Sequence, residues 1–417
     1  MKELNDYRRE LYKVFENIHS PYSYWELQKE VVEALLKSEE EVMKGGEDKE
    51  EWLYHQDRLF SISEAMVWSV LEPFTIRQLG KFESGKTTLL SQKETIKEII
   101  AQFEPLASEK VFILADTTRC ITTGDVIEVQ GPDKIHIYEC KMSTPDKIEE
   151  MLKGRVGRQF SKNFWLQEYL ERGYGKLFKA DLLTRTIEVD VSEFEDHFSL
   201  LDPLIEKCIK NESGSSSVLA EPGLVYLAFK YDEDEKDVDP SLLTGLYDFK
   251  EPFYTGLAAL VESPRECIFH MPPLAFPISL KSKMLLMEVD VIILCYLDYS
   301  VLREKFRNKG FNFTTTKEGF PQLNKGENPL IFHPRLFNEI MISFQPIEKV
   351  VKQMTNLYDS TLNGLTSEEQ KYIHDRPTSL KEMVDYIHEN YELTSEDDNS
   401  PGLISIGSKK LKRKPKK

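Results

Sequence analysis

The sequence predicts an α/β protein of more than one domain, and three features carry that expectation. Two short runs, Asp125-Val-Ile-Glu-Val-Gln130 and Lys134-Ile-His-Ile-Tyr-Glu-Cys-Lys141, alternate with the period of two that belongs to strands. Segments with helical spacing precede and follow them. A polar stretch, Glu212-Ser-Gly-Ser-Ser-Ser217, then separates this region from a later set of strands and helices. At 417 residues the chain has room for two or three domains and a substantial core.

Residues 1–56 read as an N-terminal helical segment, in which Trp25 to Leu36 carries an apolar face and Gly45-Gly46 marks an end. Arg58 to Leu71 is a further helix, apolar almost all round as a buried helix should be, and Glu64 is its only charge after Arg58. A buried carboxylate there implies a metal, a lysine or a hydrogen-bond network as partner. The plainer alternative is a glutamate reaching solvent near the helix start. Ser91 to Phe103 is an ordinary amphipathic helix whose Glu94 and Glu98 are expected to be solvated.

Between these helices, Gly80-Lys-Phe-Glu-Ser-Gly85-Lys86-Thr87 satisfies the Walker A pattern, in which backbone amides cradle phosphates. Val111 to Asp116 would then stand as its Walker B. Such a loop follows a buried parallel strand, yet Phe74 to Leu79 alternates apolar with polar, and the next elements form a hairpin. Nucleotide binding at Gly80–Thr87 therefore stays as an alternative to a basic loop touching DNA or a plain turn.

The two strand-like runs are joined by Gly131-Pro132-Asp133, which is turn chemistry, so they read as an antiparallel hairpin. With a three-residue loop the pairs are Asp125 with Glu139, Ile127 with Ile137, and Val129 with Ile135. One face then carries four aliphatics with Asp125, Glu139 and Lys141 at its open end. The other takes Val126, Glu128, His136, Tyr138 and Cys140. A slip of one residue would scatter the apolar set, so the register that builds the best core also gathers the acids. Two carboxylates directly opposite one another repel, and a cation between them removes that cost. The plainer reading is a hairpin with a surface Glu-Lys pair, which the position of these charges on the apolar face disfavours.

Asp125 with Glu139-Cys140-Lys141 resembles the PD-(D/E)XK nuclease superfamily, in which an acid begins one core strand and E-x-K ends the next. The match covers about 40 residues directly, and the leading Pro-Asp of the family stands here as Gly124-Asp125. The resemblance implies a restriction-endonuclease-like core, a mixed central sheet flanked by helices, with Mg²⁺ or Mn²⁺ as cofactor. Its metal ligands would be Asp125, Glu139 and the backbone carbonyl of Cys140, and Lys141 would orient water or stabilise charge at the phosphate. The family also places an acid on an earlier helix, which makes Glu64 the candidate third carboxylate.

After the hairpin, Thr144 as N-cap, Pro145 and Asp146 start a helix that Gly154 and Gly157 interrupt and that resumes from Arg155 to Tyr169. Arg155, Arg158 and Lys162 recur at helical spacing, a positive face suited to phosphates or simply to solvent. Gln159 or Gln167 stands where some branches of the family place an assisting glutamine. Neither is followed by Tyr at the fourth position, so the RecB-like and Cas4-like signature is absent.

Five cysteines with no C-x-x-C argue for a reducing compartment, and eight scattered histidines argue against a zinc hydrolase. No apolar run is long enough to span a bilayer and Met1-Lys-Glu begins no signal peptide, so a cytoplasmic protein with no membrane partner is expected. The net charge of −17 opposes approach to a polyanion. Charge is segregated, however: Glu39-Glu-Glu41 and Asp232-Glu-Asp-Glu235 are acidic, while Ser408 to Lys417 holds seven positive residues.

The expected organisation is a helical segment at 1–56, a nuclease domain at 57–205 that includes a strand at Thr186–Val191, a C-terminal α/β domain at 218–395 and a disordered basic tail at 396–417. The C-terminal domain carries no motif; packing, homodimer formation, recognition or regulation are its candidate roles. The function these features imply is a Mg²⁺-dependent endonuclease acting on DNA, with RNA left open. A place in restriction or anti-phage defence rests on the resemblance alone. A P-loop nucleotide-binding protein and a non-catalytic nuclease-fold adaptor are the alternatives.

Overall fold

The computed structural model describes residues 2–80, 88–131, 134–140, 154–175, 184–187, 189–231, 245–256, 267–317, 320–333, 335–375, 377, 380–395, 404–406 and 409–414. The architecture is mixed α/β, as the pattern of the sequence predicts. The chain divides into two compact units, residues 1–186 together with 365–417, and residues 187–364.

The first unit opens with helices α1 (Lys2–Glu16), α2 (Pro21–Lys44) and α3 (Lys49–Val70). A reciprocal box starts α2: Ser20 Oγ accepts from the Ser23 N–H and Ser23 Oγ from the Ser20 N–H, both at 3.1 Å, with Pro21 in the first helical position. Gly45 at φ 70° follows its last residue, at the predicted break. Along α3, Leu59 and every residue from Ser61 to Val67 are buried, as an all-round apolar helix requires. Short α4 (Pro73–Leu79) and amphipathic α5 (Lys93–Phe103) lead to the sheet.

Strands β1 (Val111–Leu114), β2 (Val126–Val129) and β3 (Ile135–Glu139) form an antiparallel meander. The β2–β3 register pairs Ile127 with Ile137 and Val129 with Ile135, the pairing that parity predicts. Both faces are buried. Phe112 and Tyr138 lie on the α2 and α5 side, where the Phe103 ring centroid is 5.0 Å from each and Trp25 is edge-on to Phe112. The outer edge of β1 is closed by Gln28 of α2, whose amide donates to Phe112 O at 2.6 Å and accepts from the Leu114 N–H at 2.9 Å. Helix α6 (Gly154–Arg172) covers the other face and runs unbroken through Gly157; it is followed by the two-residue strands β4 (Tyr174–Gly175) and β5 (Thr184–Arg185).

The second unit contains α7 (Leu201–Lys210), β6 (Ser215–Glu221), β7 (Leu224–Lys230), β8 (Pro252–Gly256), α8 (Leu280–Met287), β9 (Val291–Asp298) and α9 (Tyr299–Asn308). Strands β10 (Asn312–Thr315), β11 (Pro321–Lys325) and β12 (Asn328–Ile331) follow, then α10 (Arg335–Met341) and α11 (Ile347–Leu362). An antiparallel sheet in the order β6-β7-β9-β8 buries Leu224, Tyr226, Ile293, Cys295 and Leu297 against these helices. Its other face sets Val225 and Leu227 against Tyr247, Phe249 and Tyr296.

The chain then returns to the first unit as α12 (Ser367–Asp375), α13 (Leu380–Asn390), β13 (Tyr391–Ser395), β14 (Ile404–Ile406) and β15 (Lys409–Arg413). The six-stranded sheet has the order β1-β2-β3-β14-β15-β13. Its one parallel join sets Ile404 opposite Ile137 and Ile406 opposite Glu139. Fully buried Glu168 of α6 anchors this return: it accepts from the hydroxyls of Tyr386 and Tyr391 and pairs with Arg172 at 3.0 Å.

Several sequence expectations are corrected here. Residues 404–406 and 409–413 of the basic tail are paired strands rather than a disordered tether, because β3 and β13 each offer a backbone edge that composition does not reveal. Helices of the 1–56 segment belong to the first unit, and the boundary expected at 205 falls between 186 and 187. The polar stretch Glu212–Ser217 is a turn leading into β6, inside the second unit. The described residues of Thr186–Val191 are irregular rather than a strand.

Candidate metal and phosphodiester site

The site is built from the turn that enters β2. Gly124 has φ +74°, and a Cβ on it would lie 2.6 Å from Ile137 Cγ2, so the position accepts only glycine here. Just beyond it, the Asp125 N–H donates to Tyr138 O at 2.9 Å and its carbonyl accepts from the Ala115 N–H at 3.0 Å. The Asp125 carboxylate accepts from the Cys140 N–H at 2.6 Å, which brings it to the Glu139–Cys140 peptide. Glu139 is 3 % exposed, and its Oε2 accepts from the Asn163 amide of α6 at 2.9 Å. The two acids therefore belong to the same end of the β2–β3 pair, Asp125 tied to the Cys140 N–H and Glu139 to Asn163.

Lys162, next to Asn163, donates to Thr122 O at 2.9 Å. The Thr122 N–H and the hydroxyls of Thr122 and Thr123 all donate to Leu79 O, so the approach to Asp125 is held from α4 and α6 together. Burial lowers the Lys162 ammonium to about 8, while the nearby Glu139 carboxylate acts in the opposite sense. Of the positive face expected at Arg155, Arg158 and Lys162, the lysine thus turns inward to a backbone carbonyl instead of outward to phosphates. The side chains of Arg155, Arg158 and Gln159 lie outside the described residues, as do Lys141 and residues 81–87 of the Walker-like loop. Gln167 spends its amide on Ile135 O at 3.0 Å, at the far end of β3.

Glu64 has a different partner from the one expected of a metal ligand. Arg119 grips both its oxygens, Nε to Oε1 at 2.6 Å and Nη2 to Oε2 at 3.0 Å, and reaches Asp57 at 2.9 Å. The hydrogen-bond network is the outcome among the partners that burial implies. The segment Phe74–Leu79 before the Walker-like loop belongs to helix α4, so no strand leads into that loop.

No known protein family, curated protein or solved structure matches this chain.

Among the described residues no three His, Cys, Asp or Glu side chains gather in a way that could hold a metal. The donors at this strand end are hard oxygens, the carboxylates of Asp125 and Glu139. Mg²⁺ is commonly held by one or two carboxylates with several waters retained, so this donor set fits it, whereas a soft or fully enclosed metal would not suit. Asn163 and Arg119 are the residues that reasoning from sequence missed. Nothing in Phe160-Ser-Lys-Asn-Phe-Trp165 sets Asn163 apart from its polar neighbours Ser161 and Lys162. The second sheet face holds another buried acid, Glu128, which accepts from the Tyr138 hydroxyl at 2.6 Å and pairs with Lys110 at 3.0 Å. Burial alone would raise its carboxyl, but these partners outweigh that effect and lower it.

Proposed function

We propose that the chain is a Mg²⁺-dependent nuclease with a restriction-endonuclease-like core, hydrolysing phosphodiester bonds of DNA. The observation that carries this reading is the placing of Asp125 and Glu139 at the same end of a buried strand pair whose register is the one predicted from the aliphatic pattern. A mixed sheet with helices on both faces supports it. In this reading Asp125, Glu139 and the Cys140 carbonyl hold the ion. Bound there, Mg²⁺ supplies a more acidic water and neutralises charge on the scissile phosphate. Lys141 stabilises the negative charge that builds on the phosphate during in-line displacement, while Asp125 is kept aimed by the Cys140 amide. Glu64 has no part in holding the ion. A role in restriction or anti-phage defence is the biological setting proposed by analogy.

Incubating plasmid, single-stranded DNA and RNA with Mg²⁺, Mn²⁺ or EDTA, with and without ATP, tests the reading. Cleavage that needs the divalent ion, needs no ATP and is abolished in Lys141→Ala and Asp125→Asn is expected. Wild-type cleavage rates in Lys141→Ala would sink the assignment. No metal-dependent cleavage of any substrate would leave a nuclease-fold adaptor instead.

A further inference from the structure

Helix α6 carries two amides toward β3, one helical turn apart and with matched geometry. Gln167 donates to a backbone carbonyl, Ile135 O, at 3.0 Å; Asn163 donates to a side-chain carboxylate, Glu139 Oε2, at 2.9 Å. Both residues are almost fully buried, and Phe160 and Phe164 on the same helix are buried with them. The Asn163 amide is thus held by packing as well as by its hydrogen bond. A neutral amide donor orients a carboxylate without itself adding a charge, unlike the guanidinium on Glu64, and the Lys162 ammonium next to Asn163 lies near enough to interact with Glu139 as well.

We propose that Asn163 is a positioning residue of the metal site, fixing the Glu139 carboxylate so that its charge is presented to a divalent cation. This rests on the nuclease reading, and it assigns to α6 a task that neither the E-x-K pattern nor the basic spacing of the helix indicates. Partners of metal-binding carboxylates commonly change metal affinity roughly 10–100-fold when removed. The Asn163–Glu139 bond is placed to act in that way.

The test is a Mn²⁺ titration of the full chain followed by electron paramagnetic resonance, comparing wild type with Asn163→Leu, Asn163→Ala and Gln167→Leu. Asn163→Leu and Asn163→Ala are expected to weaken Mn²⁺ binding about 10-fold or more, and Gln167→Leu to leave it within about twofold while costing a buried amide hydrogen bond to a backbone carbonyl. Asn163→Ala covers the case in which the larger leucine prevents folding, and Asn163→His, which keeps an N–H donor, is expected to recover part of the affinity. Equal weakening by the Asn163 and Gln167 variants would reduce Asn163 to a purely structural role and overturn the proposal. So would unchanged affinity in both Asn163→Leu and Asn163→Ala. A wild-type chain that binds no Mn²⁺ overturns the nuclease reading and this inference together, and is distinguishable because it precedes any comparison of variants.

Discussion

Two glutamates of the first unit are equally hidden, each 3 % exposed, yet the molecule treats them in opposite ways. Glu64 in α3 is closed by a two-pronged arginine, with Asp57 sharing the same guanidinium. Glu139 at the end of β3 meets the neutral amide of Asn163, with Asp125 drawn to the following peptide. A buried acid on an apolar element therefore does not by itself mark a metal ligand. What differs between the two is the partner on the carboxylate: a guanidinium on both oxygens of Glu64, and on Glu139 Oε2 the amide of Asn163, with the Lys162 ammonium near enough to feel its charge.

The contrast can be broken most forcefully at Glu64. Glu64→Gln removes the buried charge that Arg119 grips at both oxygens, its other carboxylate, Asp57, being half exposed, and should cost about 3–5 kcal/mol in urea unfolding. A loss below about 1 kcal/mol, the range of an ordinary hydrogen bond, would remove the distinction between the two acids. Gly124→Ala comes next. The strained φ and the clash with Ile137 should cost about 1–3 kcal/mol and displace Asp125, so stability and metal-dependent cleavage should fall together. Retained activity at reduced stability would show that Asp125 tolerates a shifted loop.

Glu139→Gln sharpens the comparison from the other side. The amide oxygen still accepts from Asn163, so unfolding free energy should stay within about 1 kcal/mol of wild type, while cleavage disappears. A large loss of stability with activity intact would make Glu139 the structural acid. The smallest effect is expected on the opposite sheet face. Glu128 has a lowered folded-state pKa, so its contribution is present above the unfolded carboxylate value of about 4.3 and is lost as pH falls through the lower folded value. Tyr138→Phe should remove about 1 kcal/mol near neutral pH and flatten that acid limb, as read from Tm between neutral and acidic pH.

Much of the candidate site was legible because hairpin pairing is local. The loop Gly131–Asp133 and the four aliphatics Ile127, Val129, Ile135 and Ile137 admit one register that buries them, and it sets Asp125 and Glu139 toward the same end of the pair. The other half of the sheet was not legible. β14 joins β3 from more than 260 positions away in the chain, and nothing in Lys409–Arg413 signals a strand, since its pairing depends on edges made elsewhere. Lys162 was assigned to the right helix and the wrong direction. Helical spacing groups it with Arg155 and Arg158, but a long side chain can bend to a carbonyl that only the fold supplies.

The sequence alone determined the strand pair, its register and the class of fold, because these depend on alternation and turn chemistry within a few residues. Tertiary structure alone decided which acid is neutralised by Arg119, which is held by Asn163, and which distant strand closes the sheet beside Glu139. Those outcomes depend on contacts between elements far apart in the chain, where the free energy of a buried charge is set by whichever partner the fold brings within hydrogen-bond reach.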